Sequence, residues 1–304
     1  ARQNQSAMSR ALVRRETISA YLFLLPSLVF FVGFVIIPMM ICIFNSFTDA
    51  TMNAKTATSF VAFTNYQKLM GDATFLQALR NTFVIVLVSV PTVCAFSLWV
   101  SSAIYKLRGP VLSAFRCIFY LPVVTGSVAV TVVWKWMYNN YTGVFNYVLK
   151  DVLGVIDKNI NWLGDERFAL WCIILILFTT SVGQPIVLYV SALGNVDHSL
   201  VEAAQVDGAT DFQVFWKIKS PQMMPTTLYI LVITTINSFQ CFALIQLLTS
   251  GGSGTNTVMY YIYYTAFKLT EQAGHFGYAN AMGVVLAIFI AILSAVQFKL
   301  AKEK

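Results

Sequence analysis

Four polar side chains share one face of an otherwise apolar stretch near residue 240. Thr234, Asn237, Ser238 and Cys241 have the spacing that places residues on one side of an α-helix. Asn237 and Ser238 can both donate and accept hydrogen bonds, as a neutral ligand rich in hydroxyl groups requires. Polar groups in such a place either line a cavity or hydrogen-bond to a neighbouring helix. We expect the cavity, so these four residues are candidates for a solute-binding face.

A second candidate face surrounds a proline earlier in the chain. Gly183, Gln184 and Tyr189 lie close to Pro185 within the apolar run 168–193. A glycine and a proline together can open a helix and leave room for a cavity. We therefore expect these residues to contribute to a solute path.

The apolar sequence is interrupted by the polar segment 199–225, SLVEAAQVDGATDFQVFWKIKSPQMMP. Ser199 and Glu202 have the S-x-x-E spacing of a capping box, which predicts that a short helix begins at Ser199. Asp207-Gly208 predicts where that helix ends, because glycine accepts the left-handed conformation of a helix C-terminus.

A second short helix is predicted after this turn. Thr210 and Gln213 have capping-box spacing, and Pro221 disfavours helix just before it. The small residues Ala203 and Ala204 on the first helix suit insertion into a cleft on another protein. The alternative is a well-capped amphipathic segment lying on lipid, where bulkier anchors serve better.

Other chemistries lack the residues that they need. His198 and His275 are far apart, and the five cysteines form no C-x-x-C pair, so we expect no metal site and no catalytic residue. The glycine-rich segment 251–255 is followed by no Gly-Lys-Ser/Thr, and no phosphate-binding loop occurs elsewhere. We expect no cofactor bound by this chain. An intramembrane enzyme would need paired His, Asp or Ser–His sets, which the sequence lacks.

The composition indicates where these segments lie. Of the 304 residues, 58% are hydrophobic and 11% are charged, whereas about a quarter of a soluble domain is charged. Six apolar runs are long enough to span a bilayer as helices: 18–44, 81–104, 112–138, 168–193, 222–249 and 279–299. The sequence therefore predicts an all-α integral membrane protein with six transmembrane helices. The runs contain no Asp or Glu, which argues against an ion-driven secondary transporter.

The distribution of basic residues predicts the orientation. Cytoplasmic loops of membrane proteins are enriched in Lys and Arg. Twelve basic residues fall on one side of the predicted spans: Arg2, Arg10, Arg14, Arg15, Lys106, Arg108, Arg116, Lys217, Lys219, Lys299, Lys302 and Lys304. Seven fall on the other: Lys55, Lys68, Arg80, Lys150, Lys158, Arg167 and Lys268. We predict an N-in/C-in topology with segment 199–225 in the cytoplasm, and no nucleic-acid partner.

The predicted domain organisation is simple. Residues 1–17 form a polar cytoplasmic tail, and 18–304 form one transmembrane domain with a cytoplasmic loop at 195–221. The first apolar run is too long for the core of a signal peptide, and no small-residue cleavage pattern follows it. We expect it to be a retained helix.

The cytoplasmic segment carries a resemblance to a known family. Glu202-Ala203-Ala204, Gly208, Ile218 and Pro221 resemble the EAA motif of ABC-importer permeases, although Ser220 stands where the family usually has leucine. Five further segments are similar to the sugar-importer branch, of the maltose and glycerol-phosphate type: 21–31, 63–70, 79–83, 119–124 and 244–257. The resemblance implies a type I ABC-importer permease fold in the bacterial cytoplasmic membrane.

The resemblance also implies a function and partners. In the family, the EAA helix docks on a cytoplasmic ATPase dimer that binds ATP and Mg, and two permeases pair. A binding protein delivers the solute, here a sugar or oligosaccharide, from outside. The residues implied in coupling are Glu202, Ala203, Ala204, Asp207 and Gly208. The implied sugar-lining helices carry both candidate faces, although Ile186 stands where the maltose-type permease has tyrosine. The alternative is another solute, such as glycerol phosphate or a polyamine.

Overall fold

The computed structural model describes residues 2–51, 58–107, 109–267 and 274–302, and for residues 2–15 and 302 the backbone alone. The described chain is helical, with two isolated β-bridges, Thr48–Phe60 and Thr51–His275. The helices are α1 Arg2–Phe31, α2 Ile37–Asn45, α3 Thr64–Gly71, α4 Ala73–Ile104, α5 Pro110–Val124, α6 Ser127–Met137, α7 Val144–Tyr147, α8 Ala169–Ser181, α9 Gly183–Gly194, α10 His198–Val206, α11 Asp211–Val214, α12 Ser220–Gln222, α13 Met224–Phe239, α14 Ala243–Leu248, α15 Val258–Phe267 and α16 Phe276–Lys302.

In the part of the chain that the structure describes, four stretches are each long and apolar enough to cross a membrane. They are Glu16–Asn45, Ala73–Ile104, Met224–Leu248 and Phe276–Ala301, and two bent helix pairs bring the number of candidate spans to six. These positions agree with the six predicted runs. Four of the basic residues behind the predicted topology, Lys55, Arg108, Lys268 and Lys304, lie outside the described residues.

The third predicted span, 112–138, is not one straight helix. α5 and α6 meet at an angle of 93°, because Thr125 and Gly126 both take extended backbone between them. Pro122 in the last turn of α5 has no amide hydrogen to continue the helical ladder. The fourth span bends by 41° between α8 and α9. That bend falls beside Gly183, where the sequence predicted an opening.

Helix α4 lies at the centre of the packing. Ile85 packs in a cluster with α8 and α14, Val90 in one with α15 and α16, and Val93 in one with α9. Two buried serines of α4 also donate hydrogen bonds to span four, Ser97 to the carbonyl of Val182 at 3.3 Å and Ser101 to that of Ile186 at 3.0 Å. These bonds fix the bent span against α4.

Helices α5 and α9 approach each other closely at Gly183. A Cβ atom added there would lie 2.3 Å from the backbone oxygen of Phe119, so only glycine permits this distance. The close approach positions the candidate face around Gln184 against α5.

The first span stands apart from this core. Helix α1 starts at Arg2 and continues through a π-helical turn, Val32–Ile36, into α2, so the predicted tail 1–17 is helical from its second residue. None of the apolar window of Glu16–Asn45 is buried against the rest of the subunit. Its packing onto the chain comes from α2, which contacts α16.

Asp72 joins the ends of three helices opposite the polar segment. Its carboxylate accepts hydrogen bonds from the Thr74 and Phe75 amides, which caps α4, and from the hydroxyls of Tyr261 and Tyr278, at 2.8 Å each. Burial raises the pKa of Asp72, but these hydrogen bonds outweigh it, so the pKa lies below its ordinary value. The charged form of Asp72 therefore stabilises the junction.

Candidate functional site

The N-cap of α10 lies two residues before Ser199, the N-cap that the capping pattern predicted. Its N-cap is Asp197, whose carboxylate accepts a hydrogen bond from the Ser199 amide at 2.9 Å and from the Ser199 hydroxyl at 2.7 Å. The predicted capping box of Ser199 with Glu202 is therefore wrong, because the serine hydroxyl is engaged by Asp197. These two hydrogen bonds lower the pKa of Asp197, the hydroxyl contributing most.

The other end of α10 confirms the predicted turn at Gly208. This glycine has φ +79°, and its amide donates to the carbonyl of Gln205 at 3.1 Å. The next amide, of Ala209, donates to the carbonyl of Ala204 at 2.9 Å. The pair of bonds is a Schellman motif, which requires a left-handed residue at the position of Gly208.

The five residues implied in coupling lie together on this short helix and its turn. Glu202, Ala203, Asp207 and Gly208 are exposed, and Ala204 is half-buried. Two apolar neighbours, Leu200 at 50% and Val206 at 88% exposure, accompany them. α10 thus presents a surface of small and apolar side chains that the subunit itself leaves uncovered.

The second helix of the segment is longer than the sequence predicted. Thr210 and Gln213 form the predicted capping box. Pro221, however, does not end the helical path, because a π-helical turn over Phe215–Lys219 leads into α12, where the proline occupies the first turn. The first turn of a helix tolerates a residue without an amide hydrogen.

Two contacts anchor the segment to the membrane helices, and a hydrogen bond between its two ends joins them to each other. Lys219 Nζ donates to the Tyr105 hydroxyl at 2.6 Å and lies 4.9 Å from the centre of that ring. The Asp197 amide donates to the side chain of Gln222 at 3.2 Å. Val196 is buried with Leu193 and Met223. A displacement of α10 would therefore move the ends of α4, α9 and α13.

The structure divides the candidate face of α13. Thr234, Ser238 and Cys241 are 4%, 2% and 6% exposed, whereas Asn237 is exposed. The buried three face inward because α13 packs on α4 and α16. Asn237 instead shares the uncovered side with Gln240, one turn further on. Sequence reasoning missed Gln240, although its i+3 spacing from Asn237 was the signal that could have found it.

Gln240 and Cys241 line a pocket of about 290 Å³ at the bend of the third span. Its polar wall includes Thr125 and Ser127 at the junction of α5 and α6, and Thr180 of α8. The pocket thus collects hydroxyl and amide groups from three broken or terminating helices. None of the described residues that line it is acidic or basic, so it suits a neutral hydrogen-bonding ligand.

The second candidate face lies beside this pocket. Gly183 and Tyr189 are buried in the subunit. Gln184 lines a groove of about 430 Å³ with Arg116 and Tyr120. Thr180 of the first pocket and Gln184 of this groove are four residues apart, across the bend of the fourth span. The structure therefore brings Gln184, but not Gly183 or Tyr189, to an accessible surface near Gln240.

A comparison with known protein families identifies the family of this chain. Residues 69–303 match the family described as "Binding-protein-dependent transport system inner membrane component". The chain belongs to this family. It is a multi-pass inner-membrane permease of a binding-protein-dependent ABC importer, and a solute-binding protein is part of such a system. Members of this family are the membrane components of transport systems, which confirms the prediction that the chain is not an enzyme. No cofactor is expected on a permease subunit of this family.

Individual relatives extend over nearly the whole permease. It is 32% identical to the probable ABC transporter permease protein YesP of Bacillus subtilis, over 94% of this chain and 91% of that protein. It is 31% identical to the multiple sugar-binding transport system permease protein MsmF of Streptococcus mutans, over 92% of this chain and 94% of that protein. The lactose transport system permease protein LacF of Rhizobium radiobacter is 29% identical over 97% of both.

Solved structures agree with the fold. The permease superposes on a chain of a bacterial ABC transporter involved in the import of the acidic polysaccharide alginate, with a TM-score of 0.77. The match covers 96% of this chain and 97% of the other at 22% identity. The predicted all-α ABC-importer permease fold is thereby confirmed.

Proposed function

We propose that this permease forms one half of the translocation path for a sugar or oligosaccharide and couples it to ATP hydrolysis through α10. A second, homologous permease supplies the other half, and a cytoplasmic ATPase dimer binds ATP and Mg. An extracytoplasmic binding protein delivers the solute. The observation that carries this proposal is the exposed, Schellman-terminated helix α10, anchored to three membrane helices.

The coupling role follows from how α10 is built. Its exposed surface has a small side chain at Ala203, beside the half-buried Ala204, so a partner's groove can close around the helix backbone. The capping by Asp197 and the turn at Gly208 fix both ends, so a push on α10 moves it as a unit. The contact of Lys219 with Tyr105 passes that movement to α4. Glu202 is exposed and free to meet a cationic residue of the ATPase.

The uncovered first span supports pairing with a second permease. A membrane-spanning helix gains stability by packing against other helices, and Glu16–Asn45 has an apolar window with no burial in its own chain. A neighbouring subunit supplies the missing surface. Both permeases then contribute to a path that one chain alone leaves open along Asn237 and Gln240.

The sugar assignment combines names and chemistry. Several relatives at about 30% identity carry carbohydrate names, among them the lactose, multiple-sugar and arabinooligosaccharide permeases. The pocket at Gln240, Thr125 and Ser127 offers neutral donors and acceptors, which match sugar hydroxyls better than a phosphate or an amine.

The basic-residue bias supports the N-in/C-in topology, in which α10 and loop 195–221 lie in the cytoplasm.

Purification of the permease from native membranes in mild detergent tests this proposal. Mass identification should recover an ATPase and a second permease, and a cysteine at Ala203 should cross-link to the ATPase. Recovery of the chain alone, even after cross-linking, would refute the coupling role.

Uptake of labelled di- and oligosaccharides tests the path. Asn237→Ala and Gln240→Ala should each reduce uptake about two- to tenfold, because one lost hydrogen bond to the solute costs about 0.5–1.5 kcal/mol. Gln67→Ala, at an exposed position on α3, is the matched control and should leave uptake unchanged. Equal uptake by all three variants would place the solute elsewhere.

A further inference from the structure

A large apolar groove lies where the polar segment meets the last span. It measures about 650 Å³ and is lined by Trp216, Ser220, Pro221, Met224, Pro225, Leu228, Phe298 and Ala301. Apart from the Ser220 hydroxyl and the indole N–H of Trp216, its side chains are apolar. Trp216 and Phe298 are 52% and 50% exposed, so the groove is open to its surroundings.

The groove straddles a membrane boundary. Met224 begins one candidate span and Ala301 ends another. Leu228 lies one helical turn, about 6 Å, beyond Met224, so the inner part of the groove reaches into the apolar layer. Tryptophan is typical of this interfacial level in membrane proteins. A water-soluble protein reaches the rim of such a groove but not its floor.

Two lysines are next to lining residues of the groove in the sequence. Lys217 follows Trp216, and Lys299 follows Phe298; both lysines are exposed. Neither makes a hydrogen bond or ion pair with another residue that the structure describes. The sequence has no acidic residue from Phe212 to Thr270 or from Gln272 to Lys302, and Asp211 and Glu303 lie just outside these ranges. The occupant of this groove should therefore be apolar in its body and anionic at one end.

We propose that the groove binds one anionic phospholipid of the cytoplasmic leaflet. An acyl chain lies along Leu228 and Phe298, and the phosphate meets Lys217 and Lys299. A pocket of this volume is in the range that holds a single small ligand. The site rests on the topology given under the proposed function, because anionic lipid and positive-inside charge coincide on the cytoplasmic face.

This lipid would act on the coupling segment. The groove is formed jointly by the π-helical turn and α12, which follow α10, and by α13 and α16. A bound lipid fills the space between them and resists their separation. Occupancy would therefore hold the second half of the polar segment against the last span.

Native mass spectrometry of the purified full-length permease, alone and with its co-purifying subunits, tests the site. The probe is palmitoyl-oleoyl-phosphatidylglycerol, with the phosphatidylcholine of the same chains for comparison. One phosphatidylglycerol should be retained per copy of this chain. Lys217→Gln with Lys299→Gln should weaken retention about thirtyfold, or about fivefold for each lysine, whereas the Arg pair should retain it.

Two further variants separate the parts of the site. Ala301→Trp should fill the groove and release phosphatidylglycerol while leaving both lysines in place. Lys150→Gln with Lys158→Gln is the matched control, since these lysines are also exposed but lie far along the chain from the groove; it should retain the lipid.

The outcomes are decisive in each direction. Equal retention of the two lipids, or retention unaffected by both groove variants, would overturn the lipid site. A photoreactive residue at Phe298 that captures the ATPase or the second permease instead of lipid would also overturn it. Failure to recover an ATPase would refute the proposed function but leave the lipid measurement on the chain itself intact.

Discussion

Substitution of Gly208 by valine should uncouple the permease without removing it from the membrane. The φ angle of +79° at this position costs a residue with a side chain about 1–2 kcal/mol, and a β-branched residue is a stronger outlier there. The alternative for the variant is to open the turn, which loses the two Schellman hydrogen bonds at about 0.5–1.5 kcal/mol each. Either route costs about 2 kcal/mol, which lowers the population of the native turn about thirtyfold.

The assay compares sugar uptake with the amount of permease in the membrane. Uptake by Gly208→Val should fall at least tenfold, with normal abundance, because no atom lies within 4 Å of a Cβ at this position and the spans are not disturbed. Gly208→Asn should recover much of the activity, since asparagine tolerates the left-handed region. Gly194→Val is the matched control: its Cβ also meets open space, but its φ is not positive.

Two results would refute this reasoning. Normal uptake by Gly208→Val would mean that the geometry of the turn does not matter for coupling. Equal loss in Gly194→Val and Gly208→Val would mean that bulk near α10, rather than the left-handed backbone, causes the defect.

Three further predictions follow from the packing. Gly183→Ala should lower the melting temperature and uptake together, because the added Cβ lies 2.3 Å from Phe119 O and forces α5 and α9 apart by about 1 Å, an overpacking cost of about 1–3 kcal/mol; unchanged melting would contradict the close approach. Asp72→Asn should remove an acid-dependent part of the stability: the wild-type pKa is lowered, so its stabilisation is present above the unfolded value of 3.8 and is lost as the pH falls through the folded value. Parallel melting-versus-pH curves for the two proteins would disprove it. Tyr105→Phe should reduce uptake severalfold while ATPase recovery stays normal, because Lys219 loses its hydrogen-bond acceptor; a loss of ATPase recovery instead would show that the contact serves docking.

Local signals predicted local structure well. The six spans follow from hydropathy, because each run must satisfy its backbone within one helix. The turn at Gly208 follows from the glycine requirement of a helix C-terminus. The N-cap was misassigned because Asp197 and Ser199 are both good capping residues, and only the structure shows that the aspartate accepts the serine hydroxyl.

Features that depend on contacts between residues far apart in the sequence could not be predicted from it. Helical spacing placed Thr234 and Asn237 on one face, but it did not show that α4 and α16 cover the Thr234 side. The 93° bend near Gly126 was equally hidden, since hydropathy reports that a run is apolar and not that its axis is straight. The spacing of Gln240 from Asn237 was a sequence signal, but the pocket around Gln240 forms only where the bend brings Thr125 and Ser127 beside it.

The first span has a consequence for how this subunit tolerates change. A core residue is held to one size and shape by its neighbours, whereas the apolar window of Glu16–Asn45 is not buried in its own chain and only α2, at its end, contacts α16. Substitutions along that helix leave the packing around α4 intact. They change only the surface that the helix presents to its surroundings. We therefore expect a chimera carrying α1 of a relative to keep its own α10 and solute pocket, and, under the pairing proposed above, to differ in which subunit it pairs with.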